Sequence, residues 1–147
     1  MSRYLLFLII ALFSSMAMPA AADEGHAALV KSTTGTVTVT RQQHLLEVTS
    51  GTTLQVSDRI VTAADSSVAI VFRDGTLLTL GSGADVLVRD YVFEPKAGEY
   101  SFSMYLAKGS AIYESGKIGK VAPQSVKVET PTATVGVRGT RFLIDAN

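Results

Sequence analysis

The 147-residue chain has no cysteine and no tryptophan, only two histidines and four prolines, and no net charge, with 13 Lys and Arg against 13 Asp and Glu. Without cysteine there is no thiol nucleophile, no disulfide framework and no acceptor for a lipoprotein lipid anchor, so a packed core must supply the stability alone. Without a basic excess nothing holds a phosphate backbone electrostatically, which excludes general nucleic-acid binding. Two isolated histidines, His26 and His44, lack the spaced ligand sets of zinc sites, and no D-x-D-x-D-G calcium loop occurs. Only His44 could serve a Ser-His-Asp site, and no Gly-x-Ser-x-Gly elbow supplies a nucleophile. No metal and no cofactor is expected.

What is present begins with "YLLFLIIALF" (4–13), an apolar run preceded by Arg3 and followed by the small residues "SSMAMPAAA". This is the pattern of a secretory signal peptide, residues 1–22, cut after Ala22. The alternative is an uncleaved anchor in the inner membrane with the rest facing the periplasm. Cleavage leaves residues 23–147 as one domain of 12 basic and 13 acidic residues, net −1, because Arg3 is the one charge removed. The expected product is periplasmic or secreted, with no stable membrane span.

Almost every mature segment alternates with period 2. Val37 and Val39 alternate with threonines, and Tyr100, Phe102, Met104 and Leu106 with Ser101, Ser103 and Tyr105. Val68, Ile70 and Phe72 form another face, as do Val126 and Val128. That is the half-buried strand signal, and no window carries a 3.6-residue stripe. Turn signals recur at short intervals, Asp74-Gly75 being the strongest, and "EPKAGE" (94–99) reads as an exposed loop. The chain is expected to be all-β, a short-strand β-solenoid or β-roll, with a β-sandwich as the alternative. The edge strands should lie in Ala28–Thr40 at one end and Thr140–Ile144 at the other.

The segment "TPTATVGVRGTRF" (130–142) carries two glycines and two arginines inside a strand-like alternation. Ala133, Val135 and Val137 share one parity, whereas Phe142 and Ile144 share the other, so a one-residue slip must lie between them. Arg138-Gly139 is its natural place, as a bulge or a corner with Gly139 taking the backbone angle. Pro131 suits a strand's start, and Gly136 either admits a close backbone or has no such role. Arg138 and Arg141 could donate to an anion at Gly139. The preferred reading pairs Arg138 internally with Asp74 or Asp58. The bare GxxG pattern of nucleic-acid loops is rejected in an all-β chain. Phe93 and Tyr100 read as core, and Tyr105, with Tyr113, as outward aromatics able to meet a sugar or peptide.

These residues resemble the FecR domain, a module named after periplasmic regulators of iron-siderophore uptake. "TPTATVGVRGTRF" is similar to its C-terminal signature, including Thr130, Pro131, Gly136 and Thr140. "TTLQVSDRIVTAADSSVAIVFRDGTLLTLGSGADVLV" (52–88) resembles its other half, with Leu54, Asp58, Ile60, Thr62, Phe72, Asp74, Gly75, Thr76 and Leu80 in the family's places. Ser57 stands where the family usually has glycine. The resemblance covers about residues 30–144 and is to the stand-alone exported form, so the iron-signalling role is not carried over whole. It implies an all-β, solenoid-like fold and a non-enzymatic signalling or binding role. The expected partner is an envelope protein or a cell-wall polymer, reached by edge-strand pairing. The other expectations are a carbohydrate-active extracytoplasmic hydrolase on a β scaffold and a self-assembling envelope protein.

Overall fold

A computed structural model describes residues 25–136 and 139–147. The expected signal peptide, and Val137 and Arg138 of the signature, lie outside the described residues. The chain runs through β1 (Ala28–Thr34), β2 (Val37–Arg41), β3 (His44–Glu47), β4 (Thr53–Leu54), β5 (Arg59–Thr62), β6 (Ser67–Phe72), β7 (Leu77–Leu80), β8 (Asp85–Glu94), β9 (Glu99–Lys108) and β10 (Ser110–Glu114). Among the described residues one short α-helix, α1 (Lys117–Val121), precedes β11 (Val126–Glu129), β12 (Thr134–Gly136) and β13 (Arg141–Asp145). The all-β expectation holds, with α1 an addition that no 3.6-residue stripe announces because it is only five residues long.

Two sheets form, in the orders β13-β10-β7-β6-β1-β4 and β12-β11-β9-β8-β5-β2-β3. The chain alternates between them while advancing from one end to the other, which is the winding of a roll. Neighbours pair antiparallel except β9 with β11. The period-2 faces then meet in one core: Val68, Ile70, Phe72, Leu78 and Leu80 from the six-stranded sheet face Val37, Val39, Phe102, Met104 and Leu106 from the seven-stranded one. Removing this apolar area from water, at about 25 cal/mol per Å², is the main force holding the sheets together.

Aromatic rings thread the core from sheet to sheet. Phe72 contacts Tyr91 at 5.2 Å and Phe102 at 4.8 Å, Phe102 contacts Tyr113 at 5.5 Å, and Tyr113 stacks on Phe142 at 4.9 Å. Tyr113 is therefore core and not an outward aromatic. Its parity on β10 matches Ala111, whose side chain is also buried. Phe93 and Tyr100 pack partly buried against the core as expected.

Two further expectations change. Ala28–Thr40 does not supply the free edges at its end, because β1 lies between β6 and β4 and β2 lies between β5 and β3. The chain folds back after β2 through Gln42 and Gln43, both at positive φ, and β3 takes the edge instead. At the other end β13 is an edge strand as expected, and β12 is the edge of the second sheet. The parity slip in the signature is the passage from β12 in one sheet to β13 in the other, with Gly139 at φ +132°.

Candidate functional site

Asp58 and Asp74, the two aspartates singled out by sequence, are both buried, and each is held differently. Asp58 accepts a fork from Arg41, Nε to Oδ1 at 2.9 Å and Nη2 to Oδ2 at 2.7 Å, and a further bond from the Gln55 N–H. Ser57 beside it has φ +75°, the conformation that glycine adopts without strain, which explains the family's preference there.

Asp74 is held by neutral donors. Oδ1 accepts from the Tyr91 hydroxyl at 2.9 Å and the Thr76 N–H at 3.2 Å, and Oδ2 accepts from the Thr76 hydroxyl at 2.7 Å and the Ile118 N–H at 3.0 Å. A buried carboxylate is tolerable only when its lone pairs are filled in this way. The Tyr91 hydroxyl is pushed strongly up, first by burial and then by the Asp74 carboxylate. Burial also raises Tyr113, on which the Ser115 and Thr76 hydroxyls act in the opposite direction without meeting hydrogen-bond geometry.

The turn around Asp74 and the C-terminal signature are joined by residues 115–118. Ser115 donates its N–H to the Thr140 carbonyl at 2.8 Å and its hydroxyl to the Gly139 carbonyl at 2.9 Å. Gly116 then donates to the Thr76 hydroxyl, and Lys117 and Ile118 donate to the Asp74 carbonyl and carboxylate. A Cβ on Gly116 would stand 2.3 Å from the Thr76 nitrogen, so only glycine lets the backbones approach. Sequence reasoning assigned the joining of the two halves to Arg138, which lies outside the described residues; Ser115 to Ile118 do join them.

The signature itself occupies the last end of the roll. Thr130 and Pro131 open a turn in which the Thr130 N–H donates to the Ala133 carbonyl at 2.8 Å and the Ala133 N–H donates to the Thr130 hydroxyl at 3.1 Å. Proline fits the second position of such a turn because its φ is already set. Between β12 and β13 lies a groove of about 450 Å³, walled by Val135, Phe142 and Ile144, with Thr130 and Thr132 at its side and Asp145 at its rim. Phe142 connects this groove to the aromatic thread and hence to Tyr91 and Asp74.

The remaining candidates are placed apart. Arg141 is exposed on β13 opposite Glu114, its cross-strand ion-pair partner at 3.4 Å. Tyr105 is outward-facing as expected, on the other sheet, but Arg89 lies 4.6 Å over its ring while pairing with Glu129. Tyr105 and Arg141 thus stand on opposite outer faces and form no joint site. Among the described residues no backbone comes within 4 Å of where a Cβ on Gly136 would stand. Among the described residues no cluster of three or more His, Asp or Glu could hold a metal. No described helix is long and apolar enough to cross a membrane.

Gly116, Ser115, Tyr91 and Arg41 escaped sequence reasoning. The phenol of Tyr91 has the parity of a core residue, and only the paired geometry shows its hydroxyl meeting Asp74. Arg41 carried a readable signal, a lone arginine ending a Val-Thr strand, but no partner could be assigned to it from spacing.

No curated protein and no solved structure matches the chain. Over residues 58–147, from Asp58 through both motif-bearing halves to the end of the chain, it matches the family described as FecR protein, a family of envelope-associated signalling and regulatory modules, and the chain belongs to that family.

Proposed function

We propose that the protein is a non-enzymatic periplasmic binding module that contacts an envelope protein through the end of the roll formed by β12 and β13. The observation that carries this reading is the pair of edge strands, one from each sheet, flanking a groove walled by Val135, Phe142 and Ile144 and edged by Thr130, Thr132 and Asp145. Edge strands offer unpaired backbone N–H and C=O groups to an incoming strand, and a flanking groove selects its side chains. Family membership agrees with a signalling role and leaves the partner to this surface.

A hydrolase reading draws little support from the groove, whose lining among the described residues includes a single titratable side chain, Asp145, where acid–base hydrolysis of a glycosidic bond uses a pair. Cell-wall polymer as a second ligand is favoured by the row of polar side chains Lys127, Ser103 and Asp90 on the outer face of the seven-stranded sheet.

The test is crosslinking capture from cells producing the tagged protein, with Leu143→Lys and Leu45→Lys variants beside it. Both leucines are exposed, at 67% and 71%, on edge strands at opposite ends. Loss of one defined envelope protein with Leu143→Lys alone supports the reading. Loss only with Leu45→Lys, or equal capture by all three, overturns it.

A further inference from the structure

Gly136 has neither of the usual reasons to be glycine. Its φ is not positive, and among the described residues a Cβ there would meet nothing within 4 Å. Glycine inside a strand costs about 0.5–1 kcal/mol relative to alanine, so at this position the missing side chain buys only empty space. That space is a hollow of about 540 Å³ between β12, β11 and the 3-10 turn Pro123–Ser125, bordered by Lys127 and Gln124.

Strand register extends the hollow across the sheet. Gly136 is the cross-strand partner of Lys127, Lys127 of Ser103, and Ser103 of Asp90. All four stand in one row on the outer face, the face opposite the buried Val126, Val128, Phe102 and Met104. Three inter-strand spacings make the row about 14 Å long. A second hollow, about 320 Å³, begins where the first ends and shares Gln124 and Lys127 with it, adding Asp90, Tyr100, Ser101, Ser103 and Ser125.

The chemistry of this row is polar and open to water: Asp90, Gln124 and Lys127 are exposed, and Ser103 and Ser125 are half-buried. Ser103, Gln124, Ser125 and Lys127 make no side-chain hydrogen bond or ion pair among the described residues. Asp90 accepts one bond, from the Ser101 hydroxyl at 2.6 Å, which orients its carboxylate. Hydroxyls, a primary amide, an oriented carboxylate and an ammonium group converging along an elongated trough suit a ligand rich in hydroxyls. An apolar peptide strand would leave them unpaired at a cost.

We propose that this row is a saccharide-binding groove, in which Asp90, Ser103 and Gln124 hydrogen-bond ring hydroxyls and Lys127 receives a carboxylate substituent of the sugar. Gly136 is the floor that keeps one end open. The proposal goes beyond the binding-module reading by giving a second ligand class at a different surface, and it rests on that reading only for the periplasmic location that brings cell-wall sugar within reach.

The test is a titration of the purified protein, followed through backbone amide chemical shifts, with two defined probes. One is the disaccharide of N-acetylglucosamine and N-acetylmuramic acid, which carries a carboxylate; the other is diacetylchitobiose, which does not. Shifts are expected at Ser103, Gln124, Lys127 and Gly136, with the acidic disaccharide bound about tenfold more tightly, a difference that Lys127→Gln removes. Gly136→Val should weaken binding with no drop in thermal midpoint, since its branched side chain would stand in the hollow and its Cβ meets no described atom within 4 Å. Gln124→Ala, at an exposed turn, weakens binding by the loss of one amide and serves should Gly136→Val disturb the strand. Absence of shifts at low-millimolar sugar, shifts mapping to other surfaces, equal binding of the two probes, or undiminished binding by both Gly136→Val and Gln124→Ala would overturn the proposal. Because the titration is done outside the cell, failure here leaves the partner-capture result standing, and the reverse also holds.

Discussion

The Tyr91 hydroxyl and Asp74 bond to each other twice. The phenol donates to Asp74 Oδ1 at 2.9 Å, and the Asp74 N–H donates back to the phenol oxygen at 2.9 Å. Tyr91 belongs to the seven-stranded sheet and Asp74 to the turn between β6 and β7 of the other, so this pair fastens the two sheets at the Asp-Gly turn.

Tyr91→Phe should destabilise the protein by about 1–3 kcal/mol, because it leaves the buried Asp74 N–H unpaired and takes one of the two donors from Asp74 Oδ1 while leaving the ring packing intact. Asp74→Ala should cost more, since it also strips the Thr76 and Ile118 donors. Urea unfolding of the two single variants and the double variant should give a coupling energy in the range of about 0.5–3 kcal/mol. Strict additivity would mean that the pair does not act as a unit.

The same burial makes stability depend on alkaline pH. An unfolded tyrosine releases its proton near pH 10, whereas folded Tyr91 and Tyr113 hold theirs to higher pH. Above about pH 10 the folded state therefore binds more protons than the unfolded state, and stability falls as pH rises from there. Below that window these groups contribute no slope. Thermal midpoints measured across the alkaline range should drop for the natural protein and stay flatter for the Tyr91→Phe, Tyr113→Phe double variant.

Tyr113→Phe alone should raise stability. The Tyr113 hydroxyl is buried without a hydrogen-bond partner among the described residues, and removing it relieves about 1–3 kcal/mol of unmet desolvation. A lower midpoint would mean that the hydroxyl is satisfied in solution.

Backbone strain yields a graded set. Ser57→Gly should stabilise by about 0.5–1 kcal/mol, as φ +75° opposes any side chain. Gln42→Asn with Gln43→Gly should do likewise, since both positions have positive φ in a two-residue hairpin turn. Gly116→Ala should go the other way, by about 1–3 kcal/mol, because its Cβ would run into the Thr76 and Asp74 backbone. Chemical denaturation midpoints order these variants directly.

The strands were legible because their faces alternate cleanly: Val68, Ile70 and Phe72 in β6 and Phe102, Met104 and Leu106 in β9 are all buried. Asp74-Gly75 was legible as a turn, with Gly75 at φ +88°. The β2–β3 hairpin was not, because Gln-Gln is not a turn signal, and missing it put β2 wrongly at an edge. Tyr113 was misplaced because its neighbours Ile112 and Glu114 do not mark which parity faces in. At the candidate site, the importance of residues 130–142 could be read, but the groove between β12 and β13 could not. It exists because the chain changes sheet at the signature, and that follows from tertiary pairing with β10 and β11. Gly136 needed the open space around it to be seen before its place in a row with Lys127, Ser103 and Asp90 made sense.

The most direct measurement is photo-crosslinking in intact cells, with a photoreactive side chain placed in turn at positions 134, 143 and 145 and, at the far end of the roll, at 45. The account predicts adducts with one defined envelope component from 134, 143 and 145 and none from 45. Adducts from 45 with none from 143 would contradict it, and would move the contact surface to the end of the roll formed by β3 and β4.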